Sequence, residues 1–394
     1  MKIAVVSDEH FPHSGADTEV IVNTAAALGA LGADVTLVVP WLRRKKRFET
    51  ICGYYGVSPT FRLETIAGWP VPSRALRVEK LTHGFLAGLN AAVRGADIVH
   101  SRDVLPLALA HVAGRPWSFE TYRRHAEEKP GLPRLLRRAR LDRGVGAVAH
   151  SEACRADLVA LGFPAEAVVT ARPGFAMDRF EPALSRAEAR GRLGLPPGAQ
   201  IVAYAGNIHP SKGVEQLLDL AHRLPGVLFV VVGGSVAEVR SLTAERDRRG
   251  LGNVTPVGQR LPAQVAPYLF AADVLFSPFL KSNIPTAWLA RTFTRPPLPG
   301  TPLKLYSYLA SGRPIVAADQ PISGELLRDE ENALLFPRGR MDLAAHAVSR
   351  LLEDAALAGR LGRSGRAFVG TFTWEERARV MLSFFERRLA ARAR

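Results

Sequence analysis

The sequence predicts an α/β protein of two Rossmann-like, doubly wound parallel-sheet domains facing a cleft, and three observations carry that expectation. Short apolar, β-branched runs alternate with amphipathic segments from end to end, the rhythm of parallel sheets covered by helices on both faces. The rhythm breaks over Asp178–Gln200, where Pro182, Pro196, Pro197 and Gly198 have the composition of a linker, and then restarts. At 394 residues with 47% hydrophobic content, the chain is long enough for two such domains, each with its own core.

The strands of the first domain read Ile3–Val6, Val35–Val39, Ile98–His100, Trp117–Glu120, Val145–Ala149 and Val168–Ala171. Those of the second read Ile201–Ala205, Leu228–Val232, Val254–Val257, Val274–Ser277, Ile315–Ala318 and Leu334–Phe336. The expected domains are therefore 1–185 and 186–372, with 373–394 forming a C-terminal helix that crosses back to the first. In that helix Val380, Met381, Phe384, Phe385 and Leu389 recur on one side and arginines fill the other. Ligands of doubly wound domains bind beyond the carboxyl ends of the strands, which makes the cleft the expected site.

No apolar run approaches the roughly 18 residues of a membrane span, and the sequence opens directly on a strand at Lys2, so neither a span nor a signal peptide is expected. Cys52 and Cys154 stand far apart without companions at metal-ligand spacing, which fits buried thiols, a reducing cytoplasm and a metal-free protein. The 52 basic residues outnumber 37 acidic ones, and a net charge of +15 points to an anionic partner. Charge concentrates in Trp41–Phe48 and Leu132–Arg140; in the second, Leu132, Leu135, Leu136 and Ala139 recur at helical spacing opposite Arg134, Arg137, Arg138 and Arg140. That is the pattern of a helix on an anionic membrane surface, and equally of a solvated helix face. Nucleic acid is not expected, because no helix-turn-helix, zinc-finger or aromatic RNA-binding signature accompanies the charge.

The stretch Tyr204-Ala-Gly-Asn-Ile-His-Pro-Ser-Lys-Gly-Val214 couples the end of an apolar strand to a glycine turn, a lysine and a new amphipathic helix. Gly206 lets the backbone approach a ligand closely, Lys212 brings a mobile cation, and Gly213 opens a helix whose N–H groups favour an anion. It lacks the spacing of a Walker loop, and many α/β proteins use such a junction only to turn a corner.

With these motifs in order, the chain resembles the retaining glycosyltransferases of family 4, which have the GT-B fold, nearly end to end. The residues that carry the resemblance begin with Ser7-Asp-Glu-His-Phe-Pro-His-Ser-Gly-Ala16, Ala96-Asp-Ile-Val-His-Ser-Arg-Asp103, Ala149-His-Ser-Glu-Ala153 and Pro173-Gly-Phe-Ala-Met-Asp-Arg-Phe180. They continue with Gly206–Gly213, Val257-Gly258, Ala271-Ala-Asp273 and Thr301-Pro-Leu-Lys-Leu-Tyr-Ser-Tyr-Leu-Ala-Ser-Gly-Arg-Pro-Ile-Val316. Such a resemblance implies a cytoplasmic transferase, peripheral on the inner membrane face, that needs neither metal nor cofactor. It would move a sugar from a UDP- or GDP-sugar to a hydroxyl of a glycan or lipid-linked acceptor in polysaccharide or glycolipid synthesis. By the same resemblance Lys212 and Tyr122 are catalytic, and Gly206, Asn207, Lys212, Gly258, Gln259, Thr301, Pro302, Leu303, Lys304 and Ser307 bind the donor. Gly15, Ala16 and His13 form the acceptor-side loop.

Departures from the family pattern stand at four positions. Asn207 replaces a common arginine, Tyr122 a common histidine, and Pro299 and Ser307 a pair of glutamates. The amide of Asn207 and the hydroxyl of Ser307 still offer hydrogen bonds, and His125 follows Tyr122 closely. The segment 279–300 is long, with Trp288, Phe293, Arg295 and several prolines, and reads as a donor lid, an acceptor contact or a surface insertion. Two other functions stay open: a nucleotide-sugar 2-epimerase of the same fold, which would require paired carboxylates with a histidine, and a non-catalytic homologue that binds a nucleotide sugar.

Overall fold

In the computed structural model, residues 1–392 are described except 14, 41–47, 67–77, 123–143, 209–212, 279–301 and 321–322, and for Val78, Glu79 and Val93 only the backbone is described. The chain divides into two compact units, Met1–Gly174 with Phe372–Arg394, and Phe175–Thr371.

The N-terminal unit holds a parallel sheet of β1 (Lys2–Val6), β2 (Asp34–Pro40), β3 (Arg62–Ile66), β4 (Ile98–Ser101), β5 (Trp117–Thr121), β6 (Gly144–Ala149) and β7 (Val168–Thr170), in the order β3-β2-β1-β4-β5-β6-β7. Strand order reverses between β1 and β4, the topological switch point. Interior strands such as Gly144-Val-Gly-Ala-Val-Ala149 are buried on both faces, which is why they read as continuous apolar runs. β3 is the strand the sequence did not reveal. It pairs only with β2 at the sheet edge, and Arg62-Leu-Glu-Thr-Ile66 is half-exposed, so no apolar run marks it.

The C-terminal unit holds β8 (Ile201–Ala205), β9 (Leu228–Val232), β10 (Val254–Gly258), β11 (Val274–Ser277), β12 (Ile315–Ala318) and β13 (Leu334–Phe336), in the order β10-β9-β8-β11-β12-β13. All pairs are parallel, and the switch point lies between β8 and β11. Every strand expected from the sequence forms within one residue at either end.

The segment read as a linker is more ordered than its composition suggests. It contains a helix, Arg186–Leu193, opened by a capping box between Ser185 and Glu188 and closed by Gly194 at φ 64°. Buried Arg190 ties this helix to the C-terminal unit by donating from Nε to Ala271 O at 3.0 Å and from Nη2 to Asp273 Oδ2 at 2.7 Å. The same carboxylate accepts from the Ile201 N–H at 2.7 Å at the start of β8.

The C-terminal helix, Trp374–Arg392, belongs to the N-terminal unit and buries Met381, Phe384 and Phe385. Helical periodicity placed its arginines on the solvent side, and Arg377 corrects that: its side chain is 0% exposed because a buried carboxylate, Glu120, lies 3.2 Å away.

Candidate active site

In the C-terminal unit, three glycines from neighbouring strands meet at the carboxyl edge of the sheet. β8 ends on Gly206 at φ 144°, whose N–H donates to Val232 O at 2.9 Å. β9 ends on Gly233 at φ 127°, whose N–H donates to the O of Gly258, itself at φ 81°, at 2.9 Å. A Cβ on Gly233 would sit 2.0 Å from Gly206 O. All three positions favour glycine for their dihedrals, Gly233 also for its close approach to Gly206, and they form a floor without side chains. Gly233 and Gly234 were not singled out in the sequence, although a glycine pair directly after an apolar strand was the available signal.

A helix, Lys304–Ser311, presents its first turn at this edge. Its Tyr308 hydroxyl accepts the Ala205 N–H at 2.7 Å, which bolts the helix to the end of β8. Lys304 Nζ lies 4.6 Å from the centroid of the Tyr204 ring, and a Cβ on Gly206 would be 3.7 Å from Lys304 Cδ. Pro302 and Leu303 form the turn that starts the helix, their carbonyls accepting from Leu305 and Tyr306 N–H. Ser307 follows one turn after Lys304 and is half-buried. Asn207 is exposed, with its carbonyl accepting from Tyr204 Oη at 2.6 Å, and Gln259 is exposed directly after Gly258. The structure thus brings Gly206, Gly258 and Lys304 to one edge; Lys212, Thr301, Pro299 and the long segment 279–300 lie outside the described residues.

In the N-terminal unit, the loop from β1 to the helix Ala16–Ala30 is shaped by its own groups. Tyr55 Oη accepts the His13 N–H at 2.9 Å and donates to His13 O at 2.8 Å. His13 Nδ1 accepts the Gly15 N–H at 2.9 Å, so this exposed histidine serves as a local strut. Gly15 is the N-cap and Ala16 the first helical residue.

Tyr122 follows β5 and sits on a buried charge network. Its hydroxyl donates to Asp17 Oδ2 at 3.2 Å, and the Arg102 guanidinium lies 5.1 Å from its ring centroid. Arg102 Nη2 donates to Glu120 Oε1 at 2.6 Å, and His100 Nε2 and His150 Nε2 each lie 2.6 Å from the same carboxylate. Arg377 completes it from the C-terminal helix. Burial alone would raise the Glu120 carboxyl, but the attraction of Arg102, Arg377 and His150 holds it well below the ordinary range. Burial pushes His150 down to about 3 against the pull of Glu120, so the ring is neutral and its Nε2–H donates to the carboxylate. This network was not legible in the sequence because His100 lies on β4, Glu120 on β5 and His150 just beyond the end of β6. His125 and the arginines 134, 137 and 138 lie outside the described residues.

At the switch point of the same unit, Asp103 Oδ2 accepts the Asp8 N–H at 3.2 Å, and Lys80 Nζ pairs with Asp8 at 2.8 Å. Burial, then the Asp8 charge, push the Asp103 carboxyl above its ordinary range. Among the described residues, no group of His, Cys, Asp and Glu has the geometry to hold a metal ion.

Two parallel-sheet units with a glycine floor at a carboxyl edge define a doubly wound, Rossmann-like α/β architecture, and comparison with known proteins makes it specific. Residues 18–179 match the model of glycosyltransferase family 4 and residues 199–354 that of glycosyl transferases group 1. The chain is 31% identical over 221 residues to the D-inositol 3-phosphate glycosyltransferase of Segniliparus rotundus, a match covering 54% of this chain and 45% of that protein. It therefore spans about half the length of the relatives it matches. Sucrose-phosphate synthase of Thermosynechococcus elongatus superposes with a TM-score of 0.78 at 23% identity, over 99% of both chains. Anabaena HepE in complex with UDP and glucose gives 0.72 at 19%, over 97% of this chain and 99% of that one. The chain belongs to the glycosyltransferases of family 4 and has their GT-B fold.

Proposed function

We propose that the chain is a metal-independent, retaining glycosyltransferase that moves a sugar from a UDP- or GDP-sugar to a hydroxyl of a glycan or lipid-linked acceptor. The observation that carries this reading is the glycine floor of Gly206, Gly233 and Gly258 with Lys304 beside it. A nucleotide can lie on a floor without side chains, and a cation beside it meets the diphosphate. The complex of HepE with UDP and glucose supports the choice of donor, because that protein shares the fold. Charge on the diphosphate grows as the sugar–oxygen bond breaks, so Lys212, Lys304 and the helix start at Pro302 and Leu303 act most strongly on the leaving group. Ser307 contacts ribose, and backbone at Gly258 and Gln259 meets the base. Thr301 and Asn207 complete the donor side; Tyr122 serves the reaction, and Gly15, Ala16 and His13 the acceptor, from the N-terminal unit. Retention follows from front-face attack: the acceptor oxygen bonds to the anomeric carbon on the face the phosphate leaves, and the departing phosphate oxygen takes the hydroxyl proton.

The test is release of nucleoside diphosphate from a panel of labelled UDP- and GDP-sugars with acceptors present. Lys212→Ala should lower turnover by about 2.7–4 kcal/mol, roughly a hundred- to thousandfold, if the cation matches a preorganised oxyanion donor. Lys212→Arg should recover part of it, because a planar fork does not reproduce a compact ammonium. Near-normal turnover by a folded Lys212→Ala protein sinks this reading, and epimerised sugar formed without acceptor would favour the epimerase.

The second part of the reading is a cytoplasmic enzyme working at an anionic membrane face. Its supporting observation lies on the helix Val78–Val93, where Leu81 (56%), Phe85 (48%), Leu86 (43%) and Leu89 (46%) are exposed together. Gly88, buried on that helix, packs so tightly that a Cβ would lie 2.7 Å from Pro106 Cα, which holds the helix with Leu81, Phe85, Leu86 and Leu89 outward. Four exposed large apolar residues on a chain of charge +15 suit a bilayer carrying anionic lipid. Sedimentation with phosphatidylglycerol vesicles should weaken in Phe85→Gln/Leu89→Gln, and on the order of a hundredfold when Arg134, Arg137 and Arg138 become Gln, at about 1 kcal/mol per cation. Unchanged sedimentation in both variants ends the membrane reading.

A further inference from the structure

We infer that Tyr204 is a positioning residue of the donor site: its ring holds the Lys304 ammonium beside the Gly206 turn, where it meets the diphosphate of the nucleotide sugar. The inference rests on the donor reading above and adds a residue to it.

Tyr204 is the penultimate residue of β8 and 1% exposed, so its ring is fixed by the core of the C-terminal unit. A core position needs only a large apolar side chain, yet this one carries two further contacts. Its hydroxyl donates to Asn207 O at 2.6 Å and so closes the turn through Gly206. Its face lies 4.6 Å from Lys304 Nζ, within the range of a cation–π contact. A Cβ on Gly206 would be 3.4 Å from Tyr204 Oη and 3.7 Å from Lys304 Cδ, so the phenol, the turn and the lysine stem are mutually adjacent.

The backbone under Lys304 is held independently, through Tyr308 and the Ala205 N–H. The side chain of such a lysine is a four-carbon stem, which loses rotamer freedom whenever its ammonium engages a phosphate. The quadrupole of the Tyr204 ring supplies an electrostatic well for that ammonium, so part of the ordering precedes the ligand. Burial, then Tyr308 and Glu238, push the phenol above its ordinary range, so the ring acts as a neutral π face and not as a counter-ion. A single buried aromatic thus couples the shape of the glycine turn to the place of the cation.

The test is calorimetric titration of the full chain with UDP, GDP, UMP and GMP in wild type, Tyr204→Phe, Tyr204→Met, Lys304→Ala and the Tyr204→Met/Lys304→Ala double variant. Tyr204→Phe keeps the ring and should retain diphosphate affinity. Tyr204→Met fills the core without a π face and should weaken the diphosphate about two- to fivefold, the range of an exposed cation–π contact, with the monophosphate unchanged. In the Lys304→Ala background the same substitution should have no further effect. Fluorinated phenylalanines at 204, which keep the shape and strip the π face, should reproduce the weakening stepwise in a protein whose core is intact. Equal weakening of both nucleotides, or the same weakening with Lys304 absent, would overturn the proposal and leave Tyr204 a core residue. Lys304→Ala with unchanged affinity for both diphosphates overturns the donor role of Lys304 itself, and the inference with it.

Discussion

Arg377→Met removes a cation from a site where it has no access to water, and the cost follows from what is left behind. The arginine side chain is 0% exposed and Glu120 5%, with 3.2 Å between Nη2 and Oε2. Its Nε also donates to Thr24 Oγ1 at 3.0 Å, and its Nη1 to Ala171 O. The substitution leaves Glu120 with Arg102 and two histidines, and two further acceptors without their donor. Removing one partner of a buried ion pair costs about 3–5 kcal/mol, because the remaining charge stays buried. Since Arg377 is the charged link between the helix Trp374–Arg392 and β5, the loss should appear first as opening of that helix. Native-state hydrogen exchange of the full chain resolves it: amides of 374–392 should exchange about two to three and a half decades faster, at 1.4 kcal/mol per decade. Protection within Phe175–Thr371 should not change. In Arg377→Met/Glu120→Gln the losses should fall short of their sum, since the contact between the two residues is already lost in either single variant. Acceleration below tenfold, or strict additivity, would show that the network does not hold the helix.

The remaining predictions bear on both units. Gly233→Ala places a Cβ 2.0 Å from Gly206 O at φ 127°, so donor binding should be lost and the melting temperature should fall; a variant that binds UDP or GDP normally refutes the glycine floor. His150 is held neutral down to about 3, below the ordinary histidine value near 6.5, so between those values the unfolded chain binds a proton that the folded one does not. Stability should therefore be fully present above about pH 6.5 and decline as pH falls towards 3, by up to about 1.4 kcal/mol per unit from this group. Urea midpoints against pH should show a shallower decline in His150→Gln, and an identical slope in both proteins contradicts the assignment. Ser307→Ala should raise the donor KM a few-fold with little change in kcat, because a neutral hydrogen bond nets roughly 0.5–1.5 kcal/mol; a collapse of kcat at unchanged KM assigns the residue another role.

The fold class and nearly every strand were legible in the sequence because a parallel strand buried on both faces must be apolar at consecutive positions, and that pattern is local. Gly206 was legible for the same reason: a glycine between a strand and a helix marks a turn by its own dihedrals. β3 was not, since an edge strand exposes its side chains and loses the apolar signature. Glu120 lay inside a run that read simply as a strand, and Arg377 inside a helix whose other arginines face water. Nothing local distinguishes a buried charge from a solvated one; its counter-charge does, and here that comes from a helix far along the chain. Gly233 needs no side chain because of a carbonyl on the neighbouring strand, and Lys304 has a place because of an aromatic ring on β8. Periodicity records which faces a chain buries, whereas charge pairing and close backbone approach depend on which segments meet, and only tertiary structure decides that.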